Sequence, residues 1–440
     1  MSERNWNALI EDVVAGRWLD PETGKPASLP FDAIELAETT EGREAELIAP
    51  LALGKRLAVV CDVNTVEVMG RRVAKALRSI ASVDEIMLGD DLDCDEAVIE
   101  RTRDLTRHAD GVVAVGSGVL NDCCKYASFL DGKRYAVFGT AASMNGYGAS
   151  TASVTLRSGL KTSLPAHAPR GIFLDLKVSA AAPTWLSAAG LGDSLCRSTA
   201  QIDWWASHRL FGTPYSRTPY ALQAADEEPM LQHAAGLARH SLEAVGVLQR
   251  VLTLCSVGVC FTGVSHHGSM GEHQISHWAD MFAGPHHPGT THGQQVGVAS
   301  LVMARLQHKI LALETPPRVK ATIVDEAAMT ARYGPELAPL CLTEMRKTAL
   351  DDRQAAAFNE RLAAEWPSLR AELMAMLLPV ERMEETLKAA GGPVSAAELG
   401  LPRPVWHEAI RYAREIRGRW SFLNLAADAG ILEEFLEGEY

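Results

Sequence analysis

Residues 110–130 read DGVVAVGSGVLNDCCKYASFL, an apolar run that ends at a glycine turn and continues as a helical pattern. The same alternation of a short apolar run and a helical pattern repeats on both sides of this stretch. Such alternation is typical of parallel strands joined by helical crossovers. The other predicted strands are RLAVVCDV (56–63), DEIMLGDD (84–91), RYAVFGTAA (134–142) and GIFLDLKV (171–178).

The pattern changes after the last of these strands, where long amphipathic segments separated by Gly and Pro replace it. Two of these segments cover residues 230–252 and 355–378, and the spacing of their apolar residues predicts helices. We therefore expect an α/β domain over residues 1–175 and an all-helical domain over residues 176–440. The sequence contains no internal repeat and no low-complexity segment.

The composition excludes several classes of function. The 440 residues are 47% hydrophobic and 22% charged, which is enough for more than one domain. A net charge of −13, with no run of Lys or Arg, argues against a nucleic-acid partner. The first residues, MSERNWNALIEDVV, do not resemble a secretory signal, and the apolar segment 251–265 is shorter than the roughly 20 residues that span a bilayer. We expect a cytoplasmic protein without membrane insertion, whose eight cysteines are reduced thiols.

The glycine turn is the first chemical signal. Gly116, Ser117 and Gly118 follow a predicted strand and open a predicted helix, where backbone N–H groups can approach a pyrophosphate. A tight strand-to-helix turn can also need glycine for steric reasons alone, and the motif is not a GxGxxG fingerprint. Asp62, at the end of an earlier strand, either accepts hydrogen bonds from an adenosine ribose or simply forms the turn in DVNT.

A group of histidines is the second signal. His273 and His277 are four residues apart, so on a helix both side chains project from one face. His292 follows in THGQQVGV. Imidazole and carboxylate groups together favour a divalent metal, and Asp193 is the candidate carboxylate. On spacing alone, Asp193 could instead cap the long helix that follows it.

These motifs resemble the glycerol-1-phosphate dehydrogenases, within the wider group of glycerol dehydrogenases, iron-containing alcohol dehydrogenases and dehydroquinate synthases. The resemblance is closest to the bacterial type and covers nearly the whole chain. It rests on several motifs in the same order: AGRWLDPETGKP, DVNT, GSGVLNDCCKY, TAASMNGY, LGDSLCRSTAQIDWW, GEHQISHW, THGQQVGV and AIRYAREIRGRWSFLNLAADAGIL. It implies a dehydroquinate synthase-like fold, with a nicotinamide-dinucleotide-binding α/β domain, a helical domain and an active site in the cleft between them.

The resemblance also implies roles for individual residues. The metal ligands would be Asp193, His273 and His292, and the metal would be zinc, nickel or iron. The residues implied for binding NAD or NADP are Asp62, Gly116, Ser117, Gly118, Asp122, Thr140 and Ser143. The residues implied near the reacting centre are His277, as a proton relay, together with Asn145 and Lys125.

The implied reaction is the reduction of dihydroxyacetone phosphate to sn-glycerol 1-phosphate, and its reverse. Two departures affect the substrate and the metal: Asn145 stands where many relatives have Asp, and Gln294 removes a negative charge expected beside the metal. Lys161 and the histidines at 266, 267, 286 and 287 are further candidates for contacting a phosphate.

The alternatives are a cyclase or lyase of the dehydroquinate synthase type, a dehydrogenase of an unphosphorylated polyol, and a noncatalytic binding protein. The expected partners are a small polyol phosphate and a second copy of the chain in a homodimer.

Overall fold

The first half of the chain builds a parallel sheet. A computed structural model describes residues 5–26, 29–90 and 92–440. The strands are β1 (Ala33–Ala37), β2 (Arg56–Cys61), β3 (Ser82–Met87), β4 (Gly111–Gly116), β5 (Arg134–Gly139), β6 (Thr151–Thr155), β7 (Lys161–Pro165) and β8 (Gly171–Asp175). Six of them form one sheet in the order β1-β8-β5-β4-β2-β3, with every neighbouring pair parallel.

The sequence predicted β2, β3, β4, β5 and β8 correctly, and it missed the other strands. The missed edge strand β1 has the short sequence AIELA. The missed strands β6 and β7 form a separate antiparallel hairpin whose sequences, TASVT and KTSLP, contain no apolar run. Lys161 begins β7 and pairs in register with Thr155. An apolar run signals only strands that are buried on both faces, so this hairpin, which is only partly buried, gave no such signal.

The sheet is covered by helices on both faces, which explains why its strands are apolar without alternation. In β4, Val112 and Ala114 join a core with residues of α5 and of two later helices, including Leu120 and Leu254. The intervening Val113 and Val115 join a second core, on the other face, with Val73 and Leu77. Successive residues of one strand therefore serve two different cores.

The helices are α1 (Ala8–Val14), α2 (Glu44–Ile48), α3 (Arg71–Leu77), α4 (Glu96–Thr106), α5 (Gly118–Leu130), α6 (Leu176–Ala181), α7 (Thr184–Phe211), α8 (Thr218–Leu237), α9 (Leu242–Thr262), α10 (Gly271–Phe282), α11 (His292–Leu311), α12 (Glu326–Arg346), α13 (Asp352–Met376), α14 (Val380–Ala389), α15 (Ala396–Leu399), α16 (Arg403–Tyr412), α17 (Phe422–Asp428) and α18 (Leu432–Glu437). The segment 230–252 is not one helix: His240 has a φ of +55°, and the Ser241 side chain caps α9 by accepting from Ala244 N–H.

The chain divides into two compact units. The first consists of the chain up to Gly190 together with Ser216–Val264, and the second of Leu191–Tyr215 together with Ser265–Tyr440. This division differs from the predicted boundary at residue 175, because α8 and α9 pack against the sheet through Leu222 and Val257. The domain bounds 1–175 and 176–440 stay a prediction. The described elements of the second unit are all helical, as expected.

Helix α9 is long and apolar enough to cross a membrane, with a mean hydropathy of 1.8 over its best window. At 21 residues it is longer than the sequence suggested. However, 72% of that window is buried inside the fold, which is typical of a core helix. The eight cysteines of the sequence are all free thiols, and most are buried.

Candidate functional site

Asp193 lies inside α7, about two and a half turns after the helix begins at Thr184, and the alternative that it caps a helix is wrong. Gly192, just before it, is needed for packing. A Cβ there would lie 2.3 Å from the carbonyl oxygen of Gly293 and 3.1 Å from the α-carbon of Gly297, both in α11. The absence of a side chain lets the backbones of α7 and α11 touch. Asp193, which is only 3% exposed, is thereby placed beside the first turn of α11.

His273 and His277 lie one turn apart on α10, as their spacing predicted. His273 is buried, with 6% of its surface exposed, and His277 is half-buried. The centroids of their rings are 6.1 Å apart. The ring of His292, the first residue of α11, lies 5.0 Å from that of His273 and 5.2 Å from that of His277. The structure therefore brings all three imidazoles together.

The start of α11 is fixed by a capping box. The backbone N–H of Thr291 donates to Oε1 of Gln294 at 3.0 Å. The side chain of Gln294 is thus used to cap the helix. A glutamate could accept the same bond and would still carry a negative charge, so the expected effect of Gln294 on the charge at the metal stays a prediction.

Asp193, His273 and His292 each offer one ligand atom, and these atoms lie within 4.8 Å of one another. Nε2 of His273 and Oδ1 of Asp193 are 3.5 Å apart. A carboxylate and two imidazoles at such distances are a suitable donor set for zinc, nickel or iron, with coordination positions left for water or substrate.

The far nitrogen of each histidine has a partner that fixes its tautomer. Nδ1 of His273 donates to Oε1 of Glu272 at 3.0 Å. Nδ1 of His292 is 3.0 Å from the hydroxyl of Ser276, and that hydroxyl donates to Oε1 of Gln295. Since the hydroxyl has one proton, it must accept from His292. Both rings therefore carry their proton on Nδ1 and keep the Nε2 lone pair available for a metal.

Burial opposes protonation of His273, but its hydrogen bonds to Asp193 and Glu272 outweigh burial and raise the pKa of His273 above its ordinary value. Protons and a metal would therefore compete for this side chain. The sequence reasoning missed Glu272, Ser276 and Gln295. They carry a recognisable signal, since each is polar, buried and set within or beside the motifs GEHQISHW and THGQQVGV.

The structure gives contacts or a protonation preference for two of the four additional histidines. His287 bonds Asp280 at 3.1 Å and Gln295 at 2.9 Å. Burial, followed by the charges of nearby arginines, lowers the pKa of His266 to about 2, so this ring is neutral and poorly suited to hold a phosphate. His286 is exposed, and His267 is buried. A phosphate contact at His267 or His286 stays a prediction.

In the first unit, the glycine turn lies at the carboxyl end of β4. Strand β4 is beside β2, and the chain leaves these two strands for opposite sides of the sheet, toward β5 and β3. Such a switch point is where doubly wound sheets bind ligands. Ser117 precedes α5 in an extended conformation. A Cβ on Gly116 would lie 2.3 Å from a methyl of Leu120, so the glycine permits the tight turn. A Cβ on Gly118 would make only an ordinary contact with Met144, at 3.5 Å.

Asp122, which is partly buried, and Lys125, which is fully buried, form an ion pair behind this turn. Lys125 Nζ donates to Asp122 Oδ1 at 3.0 Å, to the carbonyl of Gly146 at 2.8 Å and to that of Thr151 at 3.0 Å. The other oxygen of Asp122 accepts from the N–H of Ser153 at 3.0 Å. These contacts use all three ammonium protons, so they give Lys125 a structural role. Its predicted catalytic role, and the predicted contact of Asp122 with cofactor phosphates, stay predictions.

The remaining predicted residues also lie in the first unit. Asp62 Oδ1 accepts from the backbone N–H groups of Asn64 and Thr65, which confirms the turn that the sequence suggested. Thr140 is buried, and its N–H donates to the carbonyl of Gly116 at 3.2 Å. Ser143 and Asn145 are half-buried in the loop that follows β5. Their predicted contacts with cofactor and substrate are not tested by these positions.

Comparisons with known proteins agree with this arrangement. A family model described as iron-containing alcohol dehydrogenase matches residues 35–183. A glycerol-1-phosphate dehydrogenase (NAD(P)+) of Bacillus velezensis is 28% identical over 386 residues, covering 85% of this chain and 86% of that protein. A glycerol-1-phosphate dehydrogenase (NAD(P)+) of Thermococcus kodakarensis is 30% identical over 273 residues, covering 62% of this chain and 76% of that protein.

Among solved structures, a probable glycerol dehydrogenase from Sinorhizobium meliloti has a similar fold. Its TM-score is 0.56 at 19% sequence identity, and the match covers 92% of this chain and 97% of that one. At this identity the likeness concerns the fold alone. It confirms the expected combination of a parallel α/β part and a helical part.

Proposed function

The chain belongs to the glycerol-1-phosphate dehydrogenase family, and we propose that it catalyses the NAD(P)-linked reduction of dihydroxyacetone phosphate to sn-glycerol 1-phosphate, and the reverse oxidation. The observation that carries the proposal is the group of Asp193, His273 and His292. Its ligand atoms lie within 4.8 Å of one another, and the bonds at Nδ1 of both imidazoles leave the Nε2 lone pairs for a metal.

These three side chains would hold one divalent metal. A bound metal of this kind polarises a carbonyl oxygen as a Lewis acid and stabilises the alkoxide of the alcohol. The chain contributes rigidity: Asp193 and His273 are almost fully buried, and His292 is the first residue of a helix whose start is capped. Fixed ligands need little reorganisation during the reaction.

His277 is the candidate for proton transfer. An imidazole can accept or donate a proton near neutral pH, and His277 is half-buried, with its ring 5.2 Å from that of His292. It stands one turn beyond His273 on the same face of α10. We assign it to relay the proton that the new hydroxyl group receives during reduction.

The nicotinamide cofactor, when bound, supplies or accepts the hydride. Gly116, Ser117 and Gly118 would accommodate its pyrophosphate at the N-terminus of α5, where backbone N–H groups favour negative charge. Thr140, Ser143 and Asp62 are assigned to the rest of NAD or NADP. The ion pair of Asp122 and Lys125 would support the turn from behind.

Asn145 is assigned to the substrate. Its amide can both donate to and accept from hydroxyl groups, whereas the aspartate of many relatives only accepts when ionised. Lys125 holds the neighbouring carbonyl of Gly146 and thereby fixes the backbone beside Asn145. This contact gives Lys125 an indirect connection to the substrate.

The test measures oxidation of NADH and NADPH with dihydroxyacetone phosphate and with dihydroxyacetone, after metal removal and reloading with zinc, nickel or ferrous iron. Metal-dependent oxidation that requires the phosphate ester is the expected result. Asp193→Ala and His292→Ala should lose metal and activity together. His108→Ala is the matched control, because this exposed histidine lies outside the ligand group and is not a candidate for binding phosphate.

Other outcomes would assign the site differently. Equal rates with the unphosphorylated ketone would indicate a polyol dehydrogenase. Release of phosphate from a sugar phosphate without net cofactor oxidation would indicate a cyclase. Full metal content and activity in Asp193→Ala would refute the ligand assignment.

A further inference from the structure

Glu272 is a carboxylate with no exposed surface, set between the metal-ligand candidate His273 and the start of α10. Its Oε1 accepts from the backbone N–H of Met270 at 2.7 Å and from Nδ1 of His273 at 3.0 Å. Its Oε2 lies 3.3 Å from the hydroxyl of Thr199, which shares its one proton with the carbonyl oxygen of Cys196 at 3.0 Å. Oε1 therefore has the strong contacts of this carboxylate, and Oε2 has the weaker one.

These contacts connect the two helices that carry buried ligand candidates. Thr199 lies on α7, six positions after Asp193, and His273 lies on α10. The backbone N–H of Gly271, at the same end of α10, donates to Asp203, which is also on α7. Glu272 thus fixes the ring of His273 relative to the helix that presents Asp193.

Burying a carboxylate costs free energy of folding unless the charge is hydrogen-bonded or paired with other groups. Glu272 lies in the first turn of α10, where the helix dipole favours a negative charge. A carboxylate that accepts the far N–H of a metal-binding imidazole fixes the ring and strengthens the nitrogen that faces the metal. The hydroxyl of Ser276, which plays the equivalent part for His292, carries no charge.

We propose that Glu272 is a positioning residue that holds His273 as the Nδ1–H tautomer and strengthens Nε2 as a ligand. The proposal rests on the proposed metal site of Asp193, His273 and His292. It makes His273 the stronger donor of the two imidazoles, because a carboxylate accepts directly from its Nδ1 at 3.0 Å, whereas the carboxylate of Asp280 is 4.0 Å from Nδ1 of His292.

A competing arrangement uses some of the same residues. Cys196, Glu272 and His273 also offer ligand atoms within 4.8 Å of one another. In the structure, however, the thiol of Cys196 donates to the carbonyls of Asp193 and Gly268, at 2.9 and 3.3 Å. Glu272 faces Nδ1 of His273, and Asp193 faces Nε2. The geometry therefore assigns Glu272 to support the ligand rather than to bind metal.

The test uses the full-length protein, stripped of metal. Zinc affinity is measured by competition with a chromophoric chelator in the wild type, Glu272→Gln and Thr199→Val. Glu272→Gln keeps the shape and removes the charge, so zinc affinity should fall about 10- to 100-fold. Thr199→Val keeps the charge and the bond to His273, so its loss should be clearly smaller.

Thermal unfolding with and without zinc separates positioning from a purely structural role. A structural role would destabilise the metal-free and zinc-loaded forms equally. A positioning role reduces the stabilisation that zinc adds, by about 1.4 kcal/mol for each tenfold loss of affinity. Wild-type zinc affinity in Glu272→Gln would overturn the proposal.

Two measurements on the wild type do not depend on whether the variants fold. With cadmium and nitrogen-labelled histidine, metal coupling should appear at Nε2 of His273 while Nδ1 stays protonated; coupling at Nδ1 would overturn the proposal. With cobalt, a thiolate charge-transfer band that Cys196→Ser removes would favour the competing arrangement and overturn it too. A wild type that binds no metal refutes the metal site itself, whereas a metal-binding wild type that reduces no dihydroxyacetone phosphate leaves Glu272's role intact.

Discussion

Replacing Gly192 with alanine should damage the metal centre without touching a ligand. The added Cβ would lie 2.3 Å from the carbonyl oxygen of Gly293. It would also lie 3.1 Å from the α-carbon of Gly297. Both obstacles are backbone atoms, which cannot rotate away as a side chain can. The helices α7 and α11 must therefore separate.

The size of the effect follows from the distance between the two backbones. An ordinary van der Waals separation is roughly 3.5 Å, so the two helices must move apart by roughly 1 Å near Asp193 and His292. Overpacking of this kind costs about 1–3 kcal/mol of stability. A ligand displaced by about 1 Å should bind metal at least about tenfold more weakly, which corresponds to about 1.4 kcal/mol.

Two assays distinguish the packing cost from the cost to the site. Urea unfolding of the metal-free protein reports the packing cost, and zinc competition with a chelator reports the site. Gly438→Ala is the control, because a Cβ there would lie 3.7 Å from its nearest neighbour and Gly438 has a φ of −90°. If Gly192→Ala kept wild-type zinc affinity and unfolding free energy, the idea that this glycine sets the spacing of α7 and α11 would fail.

Three further predictions concern single side chains. Lys125→Met should lower the free energy of unfolding, measured in urea, by about 1–3 kcal/mol, because it leaves the partly buried carboxylate of Asp122 and two backbone carbonyls without their donor; unchanged stability with a lower catalytic rate would instead support a catalytic lysine. Gly116→Ala should cost about 1–3 kcal/mol of stability, because its Cβ would lie 2.3 Å from a leucine side chain, and NADH binding followed by fluorescence should weaken; unchanged NADH affinity would count against the turn as a cofactor site. Zinc affinity should fall as the pH decreases through a value above the ordinary histidine pKa of about 6.5. The reason is that Asp193 and Glu272 raise the pKa of His273, and protonation of this ring displaces the metal. A zinc affinity that falls only well below that pH would contradict this reasoning.

The sequence predicted the central strands because a strand that is buried on both faces is a continuous apolar run. In β4 every residue is buried, and the run GVVAVG has no polar member. The hairpin of β6 and β7 has no such run, because only part of it is buried. The sequence also could not predict that α8 and α9 belong to the first unit, because the apolar pattern of a helix does not show which surface the helix packs against.

The metal-ligand candidates could also be predicted only in part. The residue types and order of Asp193, His273 and His292 are visible in the sequence, but their spacing on paper favoured a capping role for Asp193. A cap is excluded because α7 begins at Thr184, so Asp193 lies in its interior. Gly192 lies within this helix, at the point where the backbones of α7 and α11 meet. A glycine imposed by tertiary packing cannot be told from a terminator in the sequence.

Residues next to a ligand in sequence also differ from those next to it in space. Gln294 follows His292 by two positions, and its side chain caps the helix. Ser276 is sixteen positions earlier, and its hydroxyl bonds the ring of His292. The electronic character of His292 is therefore set by α10, and substitutions at 294 should be interpreted as changes in helix capping before they are interpreted as changes in charge at the metal.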